Sequence, residues 1–228
     1  MILNIEAATG VCSVCLSRGR EILSLHESEA QNEHSRLITL LIERCMADAG
    51  LHLQDLDAVA VSEGPGSYTS LRVGFSTAKG LCYALDKPLI VVNTLRALAK
   101  AAFAEEILTE SLYCAMIDAR RMEVYAAVYD AFGMEVSAAS PMVIDGNSFG
   151  NFFEDGRQIF FCGNGAEKCK MVLTNPLAKF SKVANNSSLY LVEDAMSAFT
   201  NKNFSNTAYA IPLYLKPPNI TSSKQKPV

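Results

Sequence analysis

Two carboxylates at the ends of apolar stretches are the first residues that could do chemistry. Glu6 follows an apolar run at the start of the chain and precedes the small residues Ala7-Ala8-Thr9-Gly10. Asp118 follows a second apolar run and also precedes a short turn. A carboxylate at a strand end can face a metal ion or a phosphate group, and it can equally be an acidic residue that closes a strand. Both interpretations of Glu6 stay open, and Thr9 belongs to the same candidate loop.

A glycine-rich turn is the second candidate for chemistry. It reads Glu63-Gly64-Pro65-Gly66-Ser67-Tyr68-Thr69-Ser70 and lies between an apolar strand and a long helical pattern. Gly64 and Gly66 permit a tight turn, and Ser67 or Thr69 can cap the first amides of the helix. Free amides and the helix dipole also attract anions there. A capped strand-to-helix turn is the simpler interpretation, because neither G-x-G-x-x-G nor the P-loop pattern with its lysine is present.

The histidines and cysteines argue against a metal centre and against a disulfide framework. No two of His26, His34 and His52 are three to five residues apart, so a metal-binding pair one helical turn apart cannot form. The seven cysteines, an odd number at irregular spacing, favour a reducing compartment. Cys12 and Cys15 point to opposite faces of a predicted strand. We therefore expect no metal, no cofactor and no catalytic residue.

Composition narrows the class of protein further. The 228 residues are half apolar and carry a net charge of −4. A chain that grips nucleic acid alone normally presents a basic face, so any RNA is expected to be held mainly by another subunit. No basic segment followed by an apolar one opens the chain, and no apolar run approaches the ~20 residues of a membrane helix. We expect a cytoplasmic protein without membrane contact.

Hydrophobic periodicity predicts the elements that must position these residues. Strands are expected at 1–7, 11–17, 21–26, 56–62 and 89–92, with helices at 34–49, 69–85 and 94–104. The pattern restarts after Glu110, with strands at 112–117, 123–129, 134–136 and 159–162 and helices near 166 and 189. Three strands followed by alternating helices and strands predict an α/β fold with mixed sheets and flanking helices.

The restart of the pattern indicates a duplicated lobe. Ile5-Glu6-Ala7 and Ile117-Asp118-Ala119 each end an apolar strand in one carboxylate before a hairpin. We expect an N-terminal lobe at residues 1–105, completed by a returning C-terminal segment, and a smaller, truncated second lobe at 106–216. Residues 217–228 lack periodicity and are expected to form a flexible tail.

Five motifs, in order along the chain, resemble successive signatures of the TsaB (YeaZ) family. They are Ile5-Glu6-Ala7-Ala8-Thr9, His34-Ser35-Arg36-Leu37, Gly64-Pro65-Gly66-Ser67-Tyr68-Thr69-Ser70-Leu71-Arg72-Val73-Gly74, Ile117-Asp118-Ala119-Arg120-Arg121-Met122-Glu123-Val124-Tyr125 and Pro212-Leu213-Tyr214-Leu215-Lys216. The resemblance is strong in the first half of the chain and thin between residues 140 and 205. Three positions depart from the family pattern, where Glu6 replaces aspartate, Ser70 replaces glycine and Lys216 replaces arginine.

The resemblance implies a two-lobed fold of the actin, sugar-kinase and Hsp70 type, which is ribonuclease H-like. It implies a subunit that pairs with the catalytic subunit TsaD to make threonylcarbamoyladenosine on the adenosine next to the tRNA anticodon, with TsaE as the accessory ATPase. It also implies that this chain has lost the chemistry and meets tRNA indirectly through the complex. The residues of the phosphate-loop motif would then be vestigial, namely Glu6, Thr9, Gly64, Gly66, Ser67 and Asp118.

Two long helices each carry an apolar inward face and a second stripe suited to a partner. On the first helix this stripe mixes leucines with Arg44, as an interface rim does. On the second helix it contains small residues such as Gly80, which let another helix approach closely. The candidate interface comprises His34, Leu37, Leu40, Leu41, Arg44, Thr69, Arg72, Val73, Ser76, Thr77 and Gly80. The alternative is that these stripes pack on the chain's own lobe. If they do face a partner, the same surface can form a homodimer when that partner is missing.

Three other functions stay open. A small-molecule kinase or ATPase of the same fold would use Glu6 and Asp118 as acids and Gly163-Asn164-Gly165 as a second phosphate loop. A glycoprotease-like peptidase would need Ser67, His34 and Asp57 as a triad, although no G-x-S-x-G elbow surrounds the serine. A binding module unrelated to tRNA has no positive signal in the sequence.

Overall fold

Two five-stranded sheets form the framework of the computed structural model, which describes residues 1–29 and 33–217. The first sheet contains β1 (Ile2–Glu6), β2 (Cys12–Arg18), β3 (Glu21–Ser28), β4 (Ala58–Ser62) and β5 (Leu89–Val92), in the order β3-β2-β1-β4-β5. Its helices are α1 (His34–Asp48), α2 (Tyr68–Leu85) and α3 (Thr94–Glu105). These elements match the strands and helices predicted for the first half of the chain.

The second sheet is built from the later part of the chain. It contains β6 (Leu112–Asp118), β7 (Glu123–Tyr129), β8 (Glu135–Val143), β9 (Ile159–Cys162) and β10 (Ala178–Phe180), in the order β10-β9-β6-β7-β8. The short helix α4 (Gly150–Glu154) precedes β9, and α5 (Val192–Thr200) follows β10. Single 3₁₀ turns lie at Leu53–Asp55, Glu167–Cys169 and Ser188–Leu191.

The two sheets share one topology. In the first, β1 pairs antiparallel with β2 and parallel with β4; in the second, β6 pairs antiparallel with β7 and parallel with β9. Glu6 and Asp118 therefore end equivalent strands. The α/β fold with two mixed sheets and flanking helices is confirmed, and the weak internal likeness of the sequence coincides with a repeated arrangement of strands.

Helices cover the first sheet on both faces and bury its central strands, including the polar residues Asn4, Glu6 and Ser62. Every residue of β1 and β4 is buried, as expected for strands that are sandwiched between two layers. The helices α1 and α2 lie side by side on one face. The other face packs on α5, on the turn at Ser188–Leu191 and on Ala97 of α3. The division of the chain at residue 105 stays a prediction.

The helix α3 lies between the two sheets. Its residues Leu95, Leu98 and Ala102 pack against the second sheet, while Ala97 joins the cluster on the first sheet. The side chain of Asn93 caps this helix by accepting a hydrogen bond from the amide of Arg96 at 3.0 Å. The apolar joint between the two halves of the chain is therefore made largely by one helix.

Three parts of the second half differ from the sequence prediction. The strand predicted at 134–136 is the start of β8, which continues to residue 143. The helix predicted near residue 166 is a single 3₁₀ turn at Glu167–Cys169, in which the amide of Lys170 binds the carbonyl of Glu167 at 3.3 Å. The segment near residue 189 is a 3₁₀ turn that leads into α5.

The predicted tail at 217–228 lies outside the described residues, apart from Pro217. Among the residues that are described, no helix combines the length and the apolar character needed to cross a bilayer.

The substitution Leu98→Ala should lower the free energy of unfolding by about 2–5 kcal/mol, because it removes a buried side chain and leaves a cavity. Leu98 has no exposed surface and lies in the joint between α3 and the second sheet. The matched control Leu108→Ala alters a side chain that is 44% exposed and should change stability by less than about 0.5 kcal/mol. Urea denaturation followed by circular dichroism measures both, and equal losses would contradict this placement of α3.

Candidate functional site

A cleft of about 620 Å³ lies between the hairpin turns of the two sheets. The β1–β2 turn, including Thr9, and residues 65–70 line one side. Residues 117–120 of the β6–β7 turn line the other side, and Asn164 with residues 213–217 completes the wall. The repeated topology thus brings the ends of the two carboxylate-bearing strands to one cleft.

Glu6 is buried beneath the β1–β2 turn and is not among the residues that line the cleft. Its Oε1 atom accepts hydrogen bonds from the amide of Ala8 at 2.5 Å and from the hydroxyl of Ser62 at 3.0 Å. Burial raises the pKa of this carboxyl group from 4.5 to about 7, and the hydrogen bonds limit the rise. Glu6 therefore ties the β1–β2 turn to the end of β4.

The glycine-rich turn is pressed against the β1–β2 turn. A Cβ atom on Gly66 would lie 2.1 Å from the carbonyl oxygen of Ala8, and the amide of Ser67 donates to that same oxygen at 2.7 Å. Gly64 has a φ of +106°, a conformation that side chains rarely adopt. The hydroxyl of Ser67 accepts from the amide of Ser70 at 3.4 Å, which confirms the predicted cap.

Asp118 lines the cleft, but its carboxylate is engaged by neighbours from its own half of the chain. Its Oδ1 atom accepts from the amide of Arg120 at 2.7 Å and from the ammonium group of Lys168 at 2.5 Å. The side-chain oxygen of Asn164 accepts from the backbone amide of Asp118 at 2.9 Å. Both candidate carboxylates therefore hold turns of the chain in place.

The residues of the hypothetical peptidase triad do not come together. His34 and Ser67 both line the cleft, whereas Asp57 pairs with the N-terminal ammonium group of Met1. Asp57 precedes β4 and Ser67 follows it, so the five residues of that strand separate the two by about 16 Å. The triad hypothesis is therefore wrong on geometry.

The histidines occupy three separate places. The Nε2 atom of His34 lies 3.3 Å from the carbonyl oxygen of Val11. His26 contacts the carboxylate of Asp48 at 2.7 Å, and His52 precedes the first 3₁₀ turn. Within residues 1–29 and 33–217, no three histidine, cysteine or acidic side chains are arranged to hold a metal ion.

The candidate interface on α1 and α2 divides into exposed and buried residues. The exposed ones are Leu40, Arg44, Thr69, Arg72, Ser76 and Gly80, and Leu37, Val73 and Thr77 are partly buried. His34 and Leu41 were wrongly assigned to this surface, because they are 4% and 3% exposed and Leu41 belongs to the core beneath the helices. Both residues are three or four positions from Ile38, on the apolar face that packs on the sheet, so helical spacing already argued against assigning them to the outward stripe.

Sequence analysis missed two aromatic residues beside this surface. Tyr83 is 88% exposed and continues the row of Ser76 and Gly80 by one helical turn, so its spacing could have revealed it. The ring of Tyr214 contacts the ring of Tyr68 in a tilted arrangement, with centroids 4.7 Å apart. No local pattern could predict that contact, because the two residues are far apart in the sequence.

The substitution Glu6→Gln should remove a pH dependence of stability. Because the pKa of Glu6 is higher in the folded chain than its usual 4.5, the folded chain holds the proton more tightly, and its stability falls as pH rises from 4.5 through about 7. The cost in the wild type approaches about 3 kcal/mol at pH 8. Urea denaturation should therefore find the variant more stable than the wild type at pH 8, with an advantage below about 1 kcal/mol at pH 5.

The matched control for this experiment is Glu43→Gln, which alters an exposed carboxylate on α1. Its stability relative to the wild type should be the same at both pH values. If the difference between Glu6→Gln and the wild type is also independent of pH, the carboxyl group does not titrate as the geometry requires.

The comparisons with known proteins point to one family. The model of the family described as TsaD, tRNA N6-adenosine threonylcarbamoyltransferase, matches residues 25–222. A tRNA threonylcarbamoyladenosine biosynthesis protein TsaB from Haemophilus influenzae is 40% identical over 124 residues, which are 54% of this chain and 51% of that protein. A tRNA N6-adenosine threonylcarbamoyltransferase from Thermus thermophilus is 45% identical over 76 residues, or 33% of this chain and 24% of that protein.

A solved structure extends the likeness to most of the fold. The structure of YeaZ from Pseudomonas aeruginosa has a TM-score of 0.78 and 26% identity, and the match covers 94% of this chain and 99% of that one. The chain spans about half the length of the curated relatives that it matches. Because the TsaD model covers most of the sequence and the TsaB and YeaZ proteins share its pattern and its fold, the chain belongs to the TsaD family and, within it, to the TsaB (YeaZ) group.

Proposed function

We propose that the chain is a non-catalytic accessory subunit in the formation of threonylcarbamoyladenosine on the tRNA adenosine next to the anticodon. It docks on a TsaD-like catalytic subunit in the cytoplasm, works with a TsaE-like ATPase and meets tRNA through the complex. The names of the curated relatives support the pathway. The net charge of −4 supports an indirect contact with tRNA, because phosphate binding by the chain alone would need a basic face.

The observation that carries the proposal is the outward face of α1 and α2. The inward faces of both helices already complete the core with residues such as Ile38, Cys45 and Phe75. The outward face combines Leu40, which is 40% exposed, with the exposed backbone of Gly80, where an added Cβ would meet nothing within 4 Å. A surface that the fold itself does not need and that lets a second helix approach closely suits helix-to-helix docking.

The proposal that this subunit is not catalytic is supported by the contacts that already engage its two candidate carboxylates. Glu6 is buried under the turn that it fastens, and Asp118 is bound by Lys168 and by the amide of Arg120. A general acid or base must reach the reacting atom, and both groups already serve the chain's own turns. The same outward face of α1 and α2 can join two copies of this chain when the catalytic subunit is missing.

A small-molecule kinase or ATPase is the second candidate, and the cleft of about 620 Å³ favours it. In that case the purified chain would hydrolyse ATP or phosphorylate a small acceptor without a partner. Turnover that is lost in Asp118→Asn would support this alternative against the accessory role.

The substitution Gly80→Trp tests the docking surface. The position is open and helical, so the variant should fold, and replacing a helical glycine should not weaken α2. Overpacking an interface costs about 1–3 kcal/mol, so the dissociation constant for the cognate TsaD-like subunit should rise about tenfold to a hundredfold. Size-exclusion chromatography with light scattering, followed by calorimetric titration, measures complex formation.

The control for that substitution is Ser197→Trp, which places the same side chain on an exposed position of α5. This variant should bind the partner with wild-type affinity. Unchanged binding by Gly80→Trp would contradict the proposed docking surface, whereas equal loss in both variants would assign the effect to the tryptophan rather than to its position.

The substitution Arg44→Glu tests the charged rim of the same surface. Arg44 is exposed on α1, and reversing its charge should slow association and change its dependence on salt, as expected for a rim residue. Lys179→Glu reverses an exposed charge on β10 and is the matched control. Association rates from surface plasmon resonance at two salt concentrations should separate the two variants, and identical rates would exclude Arg44 from the rim.

A further inference from the structure

The segment 211–217, here called the strap, runs along the cleft and contacts both halves of the chain. On the side of the first sheet, the amide of Leu213 donates to the carbonyl oxygen of Glu63 at 2.8 Å. The ring of Tyr214 contacts the ring of Tyr68 at the start of α2, with centroids 4.7 Å apart and the ring planes tilted by 37°. The guanidinium group of Arg72 donates to the Tyr214 hydroxyl at 3.2 Å. Three groups of the first half thus hold the strap, namely the carbonyl of Glu63, the ring of Tyr68 and the guanidinium of Arg72.

On the side of the second sheet, the strap ends in a two-point ion pair. The ammonium group of Lys216 lies 2.8 and 2.7 Å from the two carboxylate oxygens of Glu123, the first residue of β7. The side chains of Lys216 and Glu123 are 39% and 25% exposed. A partly buried pair with both oxygens engaged is less screened by solvent than a surface pair. Lys216, two residues after Tyr214, therefore attaches the strap to the second half of the chain.

The strap and α3 join the two halves in different ways. The joint at α3 is mainly apolar, and its hydrogen bonds include those from Ser181 and Lys182 to Glu105 at the end of the helix. Apolar packing is non-directional, so most of this joint can tolerate a small rotation of one half against the other. The contacts of the strap are directional, since the Tyr214–Tyr68 ring contact, the hydrogen bond from Arg72 and the Lys216–Glu123 ion pair each require defined positions. Rotation about α3 would stretch these contacts first, because they lie across the cleft.

We propose that the strap is a latch that fixes the width of the cleft, with the Lys216–Glu123 pair as the part that opens. Opening of the pair frees the second half to turn about α3, while Tyr214 stays on α2. The latch also contacts Arg72, which lies on the proposed docking surface. Whether the latch is open or closed therefore affects a residue that a partner would contact. That last consequence rests on the proposed function, whereas the latch itself does not.

The test is a distance measurement on the full chain without a partner. All seven native cysteines are buried, so spin labels attach selectively to cysteines introduced at exposed positions. Glu43→Cys on α1 and Glu167→Cys beside the second sheet place one label on each half. Double electron–electron resonance then reports the distribution of distances between the halves.

In this labelled background, Lys216→Glu should lengthen and broaden the distance distribution, because two carboxylates would face each other across the latch. Lys216→Met removes the charge alone and should give a smaller change in the same direction. The exchanged pair Lys216→Glu with Glu123→Lys should restore the narrow distribution, and Lys179→Glu on β10 should leave it unchanged. Circular dichroism verifies that each variant is folded.

A distribution that is unchanged in both Lys216→Glu and Lys216→Met would overturn the latch. Failure of the exchanged pair to restore the narrow distribution would also overturn it, since the effect would then not depend on the ion pair. Neither result bears on docking at Gly80, because no partner is present. If the latch is confirmed and binding to the TsaD-like subunit is unaffected by Lys216→Glu, the transmission to Arg72 is wrong while the latch remains.

Discussion

The contact between the backbone of Gly66 and the carbonyl oxygen of Ala8 determines where α2 begins. Any side chain at position 66 would collide with that oxygen, and the next amide, from Ser67, donates to it. Ser67 then caps the helix that starts at Tyr68. The same turn lines the cleft, and the helix that it starts carries part of the proposed docking surface. One close contact between two backbone segments therefore sets the position of both.

The polar groups of this region serve the fold from the inside. Glu6 fastens the β1–β2 turn to β4, and Lys168 holds the β6–β7 turn through the carboxylate of Asp118 and two backbone carbonyl groups. These contacts occupy both carboxylates that the sequence offered as candidate acids. The proposed accessory role fits this arrangement, because these groups support the walls of the cleft and the outward face of α1 and α2 is exposed.

The sequence predicted the first half of the fold well because its signals are local. Runs of buried residues marked β1 and β4, a serine marked the start of α2, and a repeated strand-carboxylate-hairpin pattern marked the two sheets. The second half was harder, since its turns are held by distant partners, as where the amides of Gly163 and Gly165 bind the carbonyl groups of Val183 and Met116.

The candidate site could be predicted only in part. Helical spacing identified the exposed row of Ser76 and Gly80, and the same spacing puts Leu41 on the inward face, where the structure buries it. It gave no indication that Tyr214 would reach Tyr68, because that contact depends on the path of the whole C-terminal segment. Contacts between residues distant in sequence arise from tertiary packing, which local patterns do not encode.

The accessory role is tested most directly by transfer of the threonylcarbamoyl group to tRNA in a reconstituted mixture from which this chain or the cognate TsaD-like subunit is omitted in turn. We expect transfer when both are present, a large loss when this chain is omitted, and no transfer by this chain when the TsaD-like subunit is omitted. Undiminished transfer without this chain, or transfer by this chain without the TsaD-like subunit, would contradict the account.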